Sequence, residues 1–170
     1  MTEAMNAVNR GEDVMANREG KYLTFSLSEE EYGIGILKVK EIIGMMAITI
    51  VPQAPDYVKG VINLRGKVIP VVDLRLKFGM DKMEYTDRTC IIVVEIRTKT
   101  GNVPMGIVVD AVSEVLNVRA ADIEDTPTFG ASMNTDYILG MAKAGDGVKI
   151  LLDIDKVVTA RETTFANEAA

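Results

Sequence analysis

The chain has 170 residues, 48% of them hydrophobic and 26% charged, which is the composition of a folded globular protein of one ordinary domain or two small ones. It contains no histidine and a single cysteine, which excludes histidine-based catalytic triads, histidine zinc sites, a phosphohistidine relay and intramolecular disulfides. The net charge of -6 and the aromatic content of 5% argue against nucleic acid as a partner.

The ends of the chain differ in composition from its middle. Residues 1–19 and 161–170 are polar, small and mixed in charge, which predicts flexible tails around a folded body at 20–160. There is no apolar run of the roughly 18 residues that a membrane span needs, so we expect no direct membrane insertion. The first residues lack a basic start followed by an apolar run, so we expect a cytoplasmic protein.

The body of the chain shows the alternation and short apolar runs of β-strands. Apolar and polar residues alternate over 22–28, and β-branched runs follow at 68–72, 90–96 and 148–152. Turn residues interrupt the pattern about every ten residues, which is typical of sandwiches or barrels. Pro70 lies inside one run and predicts an edge strand or a bulge there. The sequence therefore predicts an all-β protein.

Helical signals are few. Apolar residues spaced for one helix face suggest a short helix or turn over 38–43 and a second one over 111–116. The stretch 119–134 is polar and rich in turn residues, so it is expected to form a long loop. We therefore expect a mainly β protein with short helices.

An internal repeat divides the body into two copies. Residues 57–60 and 68–74 recur 80 residues later as 137–140 and 148–154. Gly35-Ile36 matches Gly106-Ile107 at an offset of 71, whereas 39–42 matches 112–115 at an offset of 73, which implies a small insertion. Two copies are too few for a solenoid. The repeat predicts two similar small β-units packed on one another.

The copies differ most in one turn. Asn63, Leu64 and Arg65 of the first copy are replaced by lysine, alanine and glycine in the second. Arg65 could be a solvated side chain. It could also form a planar ion pair with Glu41, and such a surface pair would shape a contact site more than it would stabilise the fold.

No catalytic, cofactor or metal site emerges from the residues. The segment 60–67 lacks the glycine spacing and the hydroxyl residue of a phosphate loop. The acidic residues within 122–125 lack the spacing of a calcium loop. Asp73 and Asp153 each follow a strand and are expected to cap turns, because a catalytic pair would need mutual burial. Cys90 lies in a strand run and is expected to be a packed, inert thiol.

At these positions the chain resembles a known family. Sixteen contiguous residues, GVINLRGKVIPVVDLR at 60–75, follow the pattern of the CheW family of bacterial chemotaxis coupling proteins, and 32–42 resembles the same family. The resemblance covers about 20–160. It implies two SH3-like, five-stranded β-barrel subdomains, which agrees with the repeat. The length of the chain fits a stand-alone coupling protein.

The resemblance also implies a function and a set of partners. The protein would be a non-catalytic adaptor, without a cofactor, that couples transmembrane chemoreceptors to the regulatory domain of a CheA-type histidine kinase. Further CheW-like domains could join it in rings of a receptor array at the membrane. The receptor-binding residues implied are Val39, Glu41, Gly60 and Arg65. The resemblance implies that each of the two barrels supplies one contact to the kinase. Kinase-binding residues cannot be assigned from the motifs, and strand ends within 102–117 are the working hypothesis.

Two other functions are open to a chain with this composition. The first is an interaction module that reads proline-rich peptides on an SH3-like barrel, which would require an aromatic-lined groove. The second is a hydrolase that uses carboxylates alone. The small number of aromatic residues and the absence of a recognisable catalytic constellation weigh against both of these alternatives.

Overall fold

The computed structural model describes residues 18–127 and 135–158. The predicted tails at 1–19 and 161–170 therefore lie outside the described residues, except for Arg18 and Glu19. Arg18 donates a hydrogen bond from Nη1 to the carboxylate of Asp125 at 2.7 Å, and Glu19 accepts one from the backbone N–H of Ala120 at 3.3 Å. These two residues thus contact the folded body.

The described residues form strands with four short helical turns, as the alternation predicts. The α-helices are α1 (Leu74–Lys77) and α2 (Ile154–Val157), and 3-10 turns occupy Ile36–Lys38 and Ala120–Asp122. No helix within these ranges is long and apolar enough to cross a membrane. The strands are β1 (Gly20–Leu27), β2 (Glu30–Gly35), β3 (Val39–Gly44), β4 (Val58–Leu64), β5 (Lys67–Asp73), β6 (Cys90–Thr98), β7 (Gly101–Val109), β8 (Ala111–Val118), β9 (Ile123–Glu124), β10 (Ile138–Ala144) and β11 (Gly147–Leu152).

The strands form two sheets, which confirms the prediction of two β-units. The first unit has five strands in the order β3-β6-β7-β5-β4, and the second has six in the order β8-β1-β2-β11-β10-β9. The sixth strand, β9, has two residues. Its counterpart in the first unit is an isolated bridge between Thr49 and Val61. The two units therefore share one plan.

The second unit is built from both ends of the described chain. Strand β2 runs parallel to β11 with Gly33 opposite Leu151, and β7 runs parallel to β5 with Gly106 opposite Val71. The β1-β2 hairpin consequently has the same place in the second unit that the β6-β7 hairpin has in the first. The chain must cross from the second unit to the first before β3 and return before β8.

The pairing corrects one part of the repeat alignment. Gly33, not Gly35, is the equivalent of Gly106, so β2 and β3 match β7 and β8 at a single offset of 73 and no insertion is needed. A Cβ at Gly33 would lie 3.1 Å from Leu151, and one at Gly106 would lie 2.8 Å from Ile91, whereas Gly35 faces open space. Only the packing distinguishes the two glycines of β2.

The two helices predicted over 38–43 and 111–116 are wrong, because both segments are strands with a β-bulge. In β3 the register shifts between Val39 and Glu41, so that Val39 lies opposite Val94 and Ile42 lies opposite Ile92. One extra residue in the strand places residues i and i+3 on the same face. The same shift occurs between β8 and β1. A bulge therefore reproduced the apolar spacing of a helix.

Two other local predictions are modified. Strand β5 lies inside its sheet, so Pro70 is not in an edge strand; it pairs with Val61 of β4, and the pairing with β7 begins only at Val71. The predicted loop over 119–134 contains a 3-10 turn and β9, while 128–134 lies outside the described residues.

Successive side chains in the central strands point to opposite faces of the sheet, so they pack in two separate cores. In β6, Ile91 and Val93 pack inside the first unit, while Ile92 and Val94 face a larger core between the units. Full burial of such side chains contributes about 1.5–3 kcal/mol each. The large core takes buried residues from both units, including Phe25, Leu27, Ile34, Val72, Leu74, Ile96, Met105, Ile107, Leu152 and Ile154. This shared core holds the units together.

The crossing before β8 is held by a carboxylate. Asp110 Oδ2 accepts hydrogen bonds from Arg75 Nη1 at 2.6 Å and from the backbone N–H of Ser28 at 2.7 Å. Arg75 belongs to α1 of the first unit, and Ser28 to the β1-β2 turn of the second. The Asp110 carboxylate therefore connects the two units.

The crossing before β3 is held by a similar ion pair, but here the helix supplies the carboxylate and the crossing segment supplies the cation. Asp155 of α2 accepts from Lys38 Nζ at 2.6 Å and from the backbone N–H of Arg97 at 2.8 Å. Asp155 occupies the position of α2 that corresponds to Arg75 in α1, 80 residues earlier. Each crossing is thus clamped by one cation, one carboxylate and one backbone N–H.

Replacing Arg75 with alanine should destabilise the protein by about 2–3 kcal/mol, because it leaves a partly buried carboxylate without its charged partner. The Arg75 side chain is only 9% exposed in its ion pair. Urea denaturation followed by circular dichroism measures the change. Arg119→Ala is the matched control, since that arginine is 78% exposed and its loss should cost no more than about 0.5 kcal/mol. Equal losses for both variants would contradict the clamp.

Candidate functional site

The β4-β5 hairpin carries the turn that distinguishes the two copies. Leu64 pairs with Lys67, which leaves Arg65 and Gly66 as a two-residue loop. Both have positive φ, 51° and 85°, as a type I′ hairpin turn requires. A left-handed conformation costs a non-glycine residue such as Arg65 about 1 kcal/mol. The side chain of Asn63 supports the turn by accepting a hydrogen bond from the backbone N–H of Gly66 at 2.8 Å.

Arg65 forms the ion pair with Glu41 that the sequence suggested. Its Nη2 lies 2.7 Å from each carboxylate oxygen of Glu41. Glu41 belongs to β3 and Arg65 follows β4, and these strands lie at opposite ends of the first unit's sheet. Ile43 of β3 and Leu64 of β4 pack against the same buried cluster, so the sheet curls until its two edges meet. The ion pair lies across that seam.

The pair shapes a surface more than it stabilises the protein. The Arg65 side chain is 71% exposed and that of Glu41 is 30% exposed. Exposed pairs of this kind contribute about 0–1 kcal/mol. A strained arginine in a weak ion pair is therefore poorly explained by stability, and it indicates a surface that another molecule contacts.

The other two predicted site residues are not brought to this surface. Gly60 is buried with φ 140°, and a Cβ there would lie 2.0 Å from the carbonyl oxygen of Thr49. Val39 is half-buried and packs against the core between the units. Glu41 and Arg65 are thus brought together at the surface, whereas Gly60 is buried by close backbone packing and Val39 faces the core between the units, on the other side of β3 from Glu41.

Several exposed apolar side chains were missed by the sequence analysis. Leu37 is 95% exposed and Ile50 is 80% exposed, and Ile42, Met46 and Val68 are exposed to lesser degrees. Exposed aliphatic side chains are common individually, but together they can provide a contact surface. Leu37 lies in a 3-10 turn, and Met46 and Ile50 lie in the segment between β3 and β4.

The first unit is also basic within an acidic protein. Residues 39–109 contain ten Lys and Arg and seven Asp and Glu, a net charge of +3, whereas the whole chain carries -6. The two units therefore carry net charges of opposite sign, and the Arg65 surface belongs to the positively charged unit. A local positive field favours partners with acidic groups.

The carboxylates considered for catalysis have structural roles. Asp73 accepts from the backbone N–H of Leu76 at 3.3 Å and Asp153 from that of Asp155 at 3.1 Å, so each caps a short helix as predicted. Asp73 also accepts a hydrogen bond from the hydroxyl of Tyr85 at 3.1 Å. Burial, and then the charge of Asp73, raises the pKa of Tyr85. Within the described ranges no three potential metal ligands come together.

Cys90 has the environment of a poorly reactive thiol. It is half-buried at the start of β6 and packs against the core between the units. Burial raises the pKa of the thiol, and a hydrogen bond from the backbone of Val112 offsets this only in part. A raised pKa leaves less thiolate at neutral pH, so Cys90 is a weak nucleophile.

Gly60→Ala should destabilise the protein by about 2 kcal/mol or more, because the new Cβ meets the Thr49 carbonyl and the backbone conformation is strained. The measurement is urea denaturation. Gly44→Ala in β3 is the control, since no atom lies within 4 Å of its added Cβ and stability should change little. A stable Gly60→Ala variant would remove the argument that Gly60 is required by close backbone packing.

Comparison with known proteins adds a family to this geometry. The model of the CheW-like domain matches residues 21–162. A protein named chemotaxis protein CheW from Klebsiella aerogenes is 40% identical over 150 residues, which cover 88% of each chain. A protein of the same name from Rhizobium meliloti is 34% identical over 89% of this chain and 96% of its own.

A solved structure has the same fold. The crystal structure of the scaffolding protein TtCheW from Thermoanaerobacter tengcongensis matches with a TM-score of 0.72 and 37% sequence identity. The match covers 82% of this chain and 92% of that one. Similarity therefore extends over most of both chains and includes both β-units.

Proposed function

The chain belongs to the CheW family, and on that premise we propose that it couples transmembrane chemoreceptors to a CheA-type histidine kinase. Its relatives are chemotaxis proteins and its structural neighbour is a scaffolding protein, so its role is that of a chemotaxis coupling scaffold. The observation that carries the finer proposal is the Arg65–Glu41 pair, which is presented by one of two otherwise similar units.

The receptor contact is assigned to the surface of the first unit. Glu41 and Arg65 provide its polar edge, while Val39 and Gly60 anchor β3 and β4, the strands that carry them. A receptor tip that is helical would lay its apolar face against this surface, with the ion pair fixing its register.

The kinase contact is assigned to a different region. Strand β8, which overlaps the segment 102–117, is an outer strand of the second unit and exposes Ser113, Glu114 and Val115. A second surface would leave the first free for the receptor. Binding the two partners on separate units allows one molecule to join them, and rings with other CheW-like domains would extend the contacts into an array.

Such a role needs no catalysis and no cofactor. Coupling requires contacts whose strength differs between the active and inactive states of the kinase. Individual contacts can be modest, because many receptors and kinases held in one array raise the effective affinity. The protein would act in the cytoplasm and be recruited to receptor arrays at the membrane.

The proline-rich peptide alternative gains no support from the four aromatic residues that stack together in the described part of the chain. Phe25, Tyr32, Phe78 and Tyr137 form a stack with ring centroids 5.7–6.0 Å apart. Phe25 and Tyr32 are buried in the core between the units, and Phe78 and Tyr137 are partly buried against it, so the stack serves this core. The hydrolase alternative loses support because Asp73 and Asp153 cap helices.

A co-sedimentation experiment tests the coupling role. Receptor-containing membranes and the kinase from the same organism are mixed with and without this protein, and kinase autophosphorylation is followed in the pellet. We expect the protein to pellet with both partners and to raise kinase activity only when receptors are present. Binding to neither partner, with a correctly folded protein, would contradict the proposal, and a peptide array would then test the proline-rich alternative.

Arg65→Glu should weaken receptor binding about tenfold or more, a loss of about 1.4 kcal/mol, while the fold survives because the pair is exposed. Affinity for receptor-containing membranes and urea denaturation measure the two effects. Lys143→Glu is the matched control, since Lys143 forms an exposed pair with Glu124 in the equivalent hairpin of the second unit.

The double variant Arg65→Glu/Glu41→Arg tests whether Arg65 contacts the receptor directly or only holds β3 and β4 together through its ion pair. It restores an ion pair across the seam with the charges exchanged. If the Arg65 guanidinium contacts the receptor, this double variant should bind as weakly as Arg65→Glu. Recovery of wild-type affinity would instead show that the pair acts only by holding β3 and β4 together.

A further inference from the structure

The two hairpin turns of the repeat differ in backbone conformation. In the second unit the loop residue equivalent to Arg65 is Gly145, with φ 60°, and the residue after it, Asp146, is not in the positive-φ region. Glycine adopts this conformation without strain. In the first unit an arginine adopts it, with φ 51°, although a glycine would adopt the same conformation with less strain.

Asn63 is the side chain that fits this unusual turn. Its amide oxygen accepts from the backbone N–H of Gly66, which bridges the loop from the strand that precedes it. The equivalent residue of the second hairpin is Lys143. Its ammonium group can only donate hydrogen bonds, so it cannot accept one from the backbone of the turn, and it lies 3.2 Å from the carboxylate of Glu124. The acceptor and the left-handed arginine therefore occur together in one copy and are both missing from the other.

We propose that Asn63 is a positioning residue for receptor binding: its bond to Gly66 holds the turn in the conformation that aims the guanidinium of Arg65. This inference rests on the proposed function. Two interactions then hold Arg65 in place. The hydrogen bond of Asn63 to Gly66 holds the backbone of the turn, and Glu41 binds the guanidinium of Arg65. Pre-organisation of this kind lowers the entropy that a long side chain loses on binding.

The guanidinium held in this way keeps donors for a partner. Both bonds to Glu41 come from Nη2, and no acceptor within residues 18–127 and 135–158 contacts Nε or Nη1 of Arg65. These remaining N–H groups can meet only an acceptor. A carboxylate on the receptor is the group that they fit best, because Arg–carboxylate bonds are charge-assisted and the first unit carries a net charge of +3.

The test compares four variants with the wild-type chain: Asn63→Ala, Asn63→Asp, Arg65→Ala and the double Asn63→Ala/Arg65→Ala. The probe is a preparation of receptor-containing membranes from the same organism. Asn63→Ala should lower the affinity about fivefold to tenfold, the effect of losing about 1–1.4 kcal/mol. Asn63→Asp, which keeps the acceptor, should stay within about twofold of wild type.

The double variant separates positioning from a general structural role. If Asn63 acts through Arg65, adding Asn63→Ala to Arg65→Ala should change the affinity by less than about twofold. Lys143→Ala, the equivalent change in the second hairpin, should leave receptor affinity unchanged. Urea denaturation of every variant confirms that the compared proteins are folded.

Three results would overturn the inference. Wild-type affinity in a folded Asn63→Ala variant would show that the bond to Gly66 is not needed. A further loss in the Arg65→Ala background of the same size as in the wild-type background would show that Asn63 does not act through Arg65. Failure of the wild-type chain to bind receptor membranes would refute the proposed function itself, and the inference would fall with it.

Discussion

The apolar core between the two β-units is the interaction on which the rest of this structure depends. A unit of roughly 70 residues buries too little surface to be securely stable by itself. Phe25 and Ile34 of the second unit pack in the same core as Ile92 and Ile107 of the first. Because β1 and β2 complete the second sheet, the chain must cross between the units twice. The two crossings are where Asp110 and Asp155 form their clamps, so the ion pairs follow from the shared core.

The internal duplication helps to locate the functional surface, because two units with the same fold are expected to differ in sequence where their functions differ. The second hairpin uses glycine where its turn needs a positive φ, and the first uses Arg65. An exposed ion pair does not offset that strain by much. The arginine is explained if its guanidinium is needed at the seam between β3 and β4, on the basic unit, where an acidic partner would meet it. Asp73 and Asp153, the carboxylates considered for catalysis, cap short helices.

Much of the fold and part of the site could be predicted from the sequence. The strands, the repeat and the capping roles of Asp73 and Asp153 follow from patterns within a few residues. The pairing of Arg65 with Glu41 was also foreseen, since both belong to the copy that carries the distinctive turn. The helices predicted around Val39 and Val112 were wrong, because a β-bulge gives apolar residues the spacing of a helix face. The repeat was misaligned at Gly35 because two glycines alternate in β2.

The sequence by itself determined that the chain is all-β and internally duplicated, since alternation and recurring landmarks are local properties of the chain. It also determined the family pattern at 60–75 and the exclusion of histidine and disulfide chemistry. Only the tertiary structure decided that β1 and β2 complete the second unit, that Gly60 is buried against the backbone of Thr49, and that Asn63 supports the turn of Arg65. These facts depend on contacts between residues far apart in the chain and on the curl of the sheets, which no local pattern encodes.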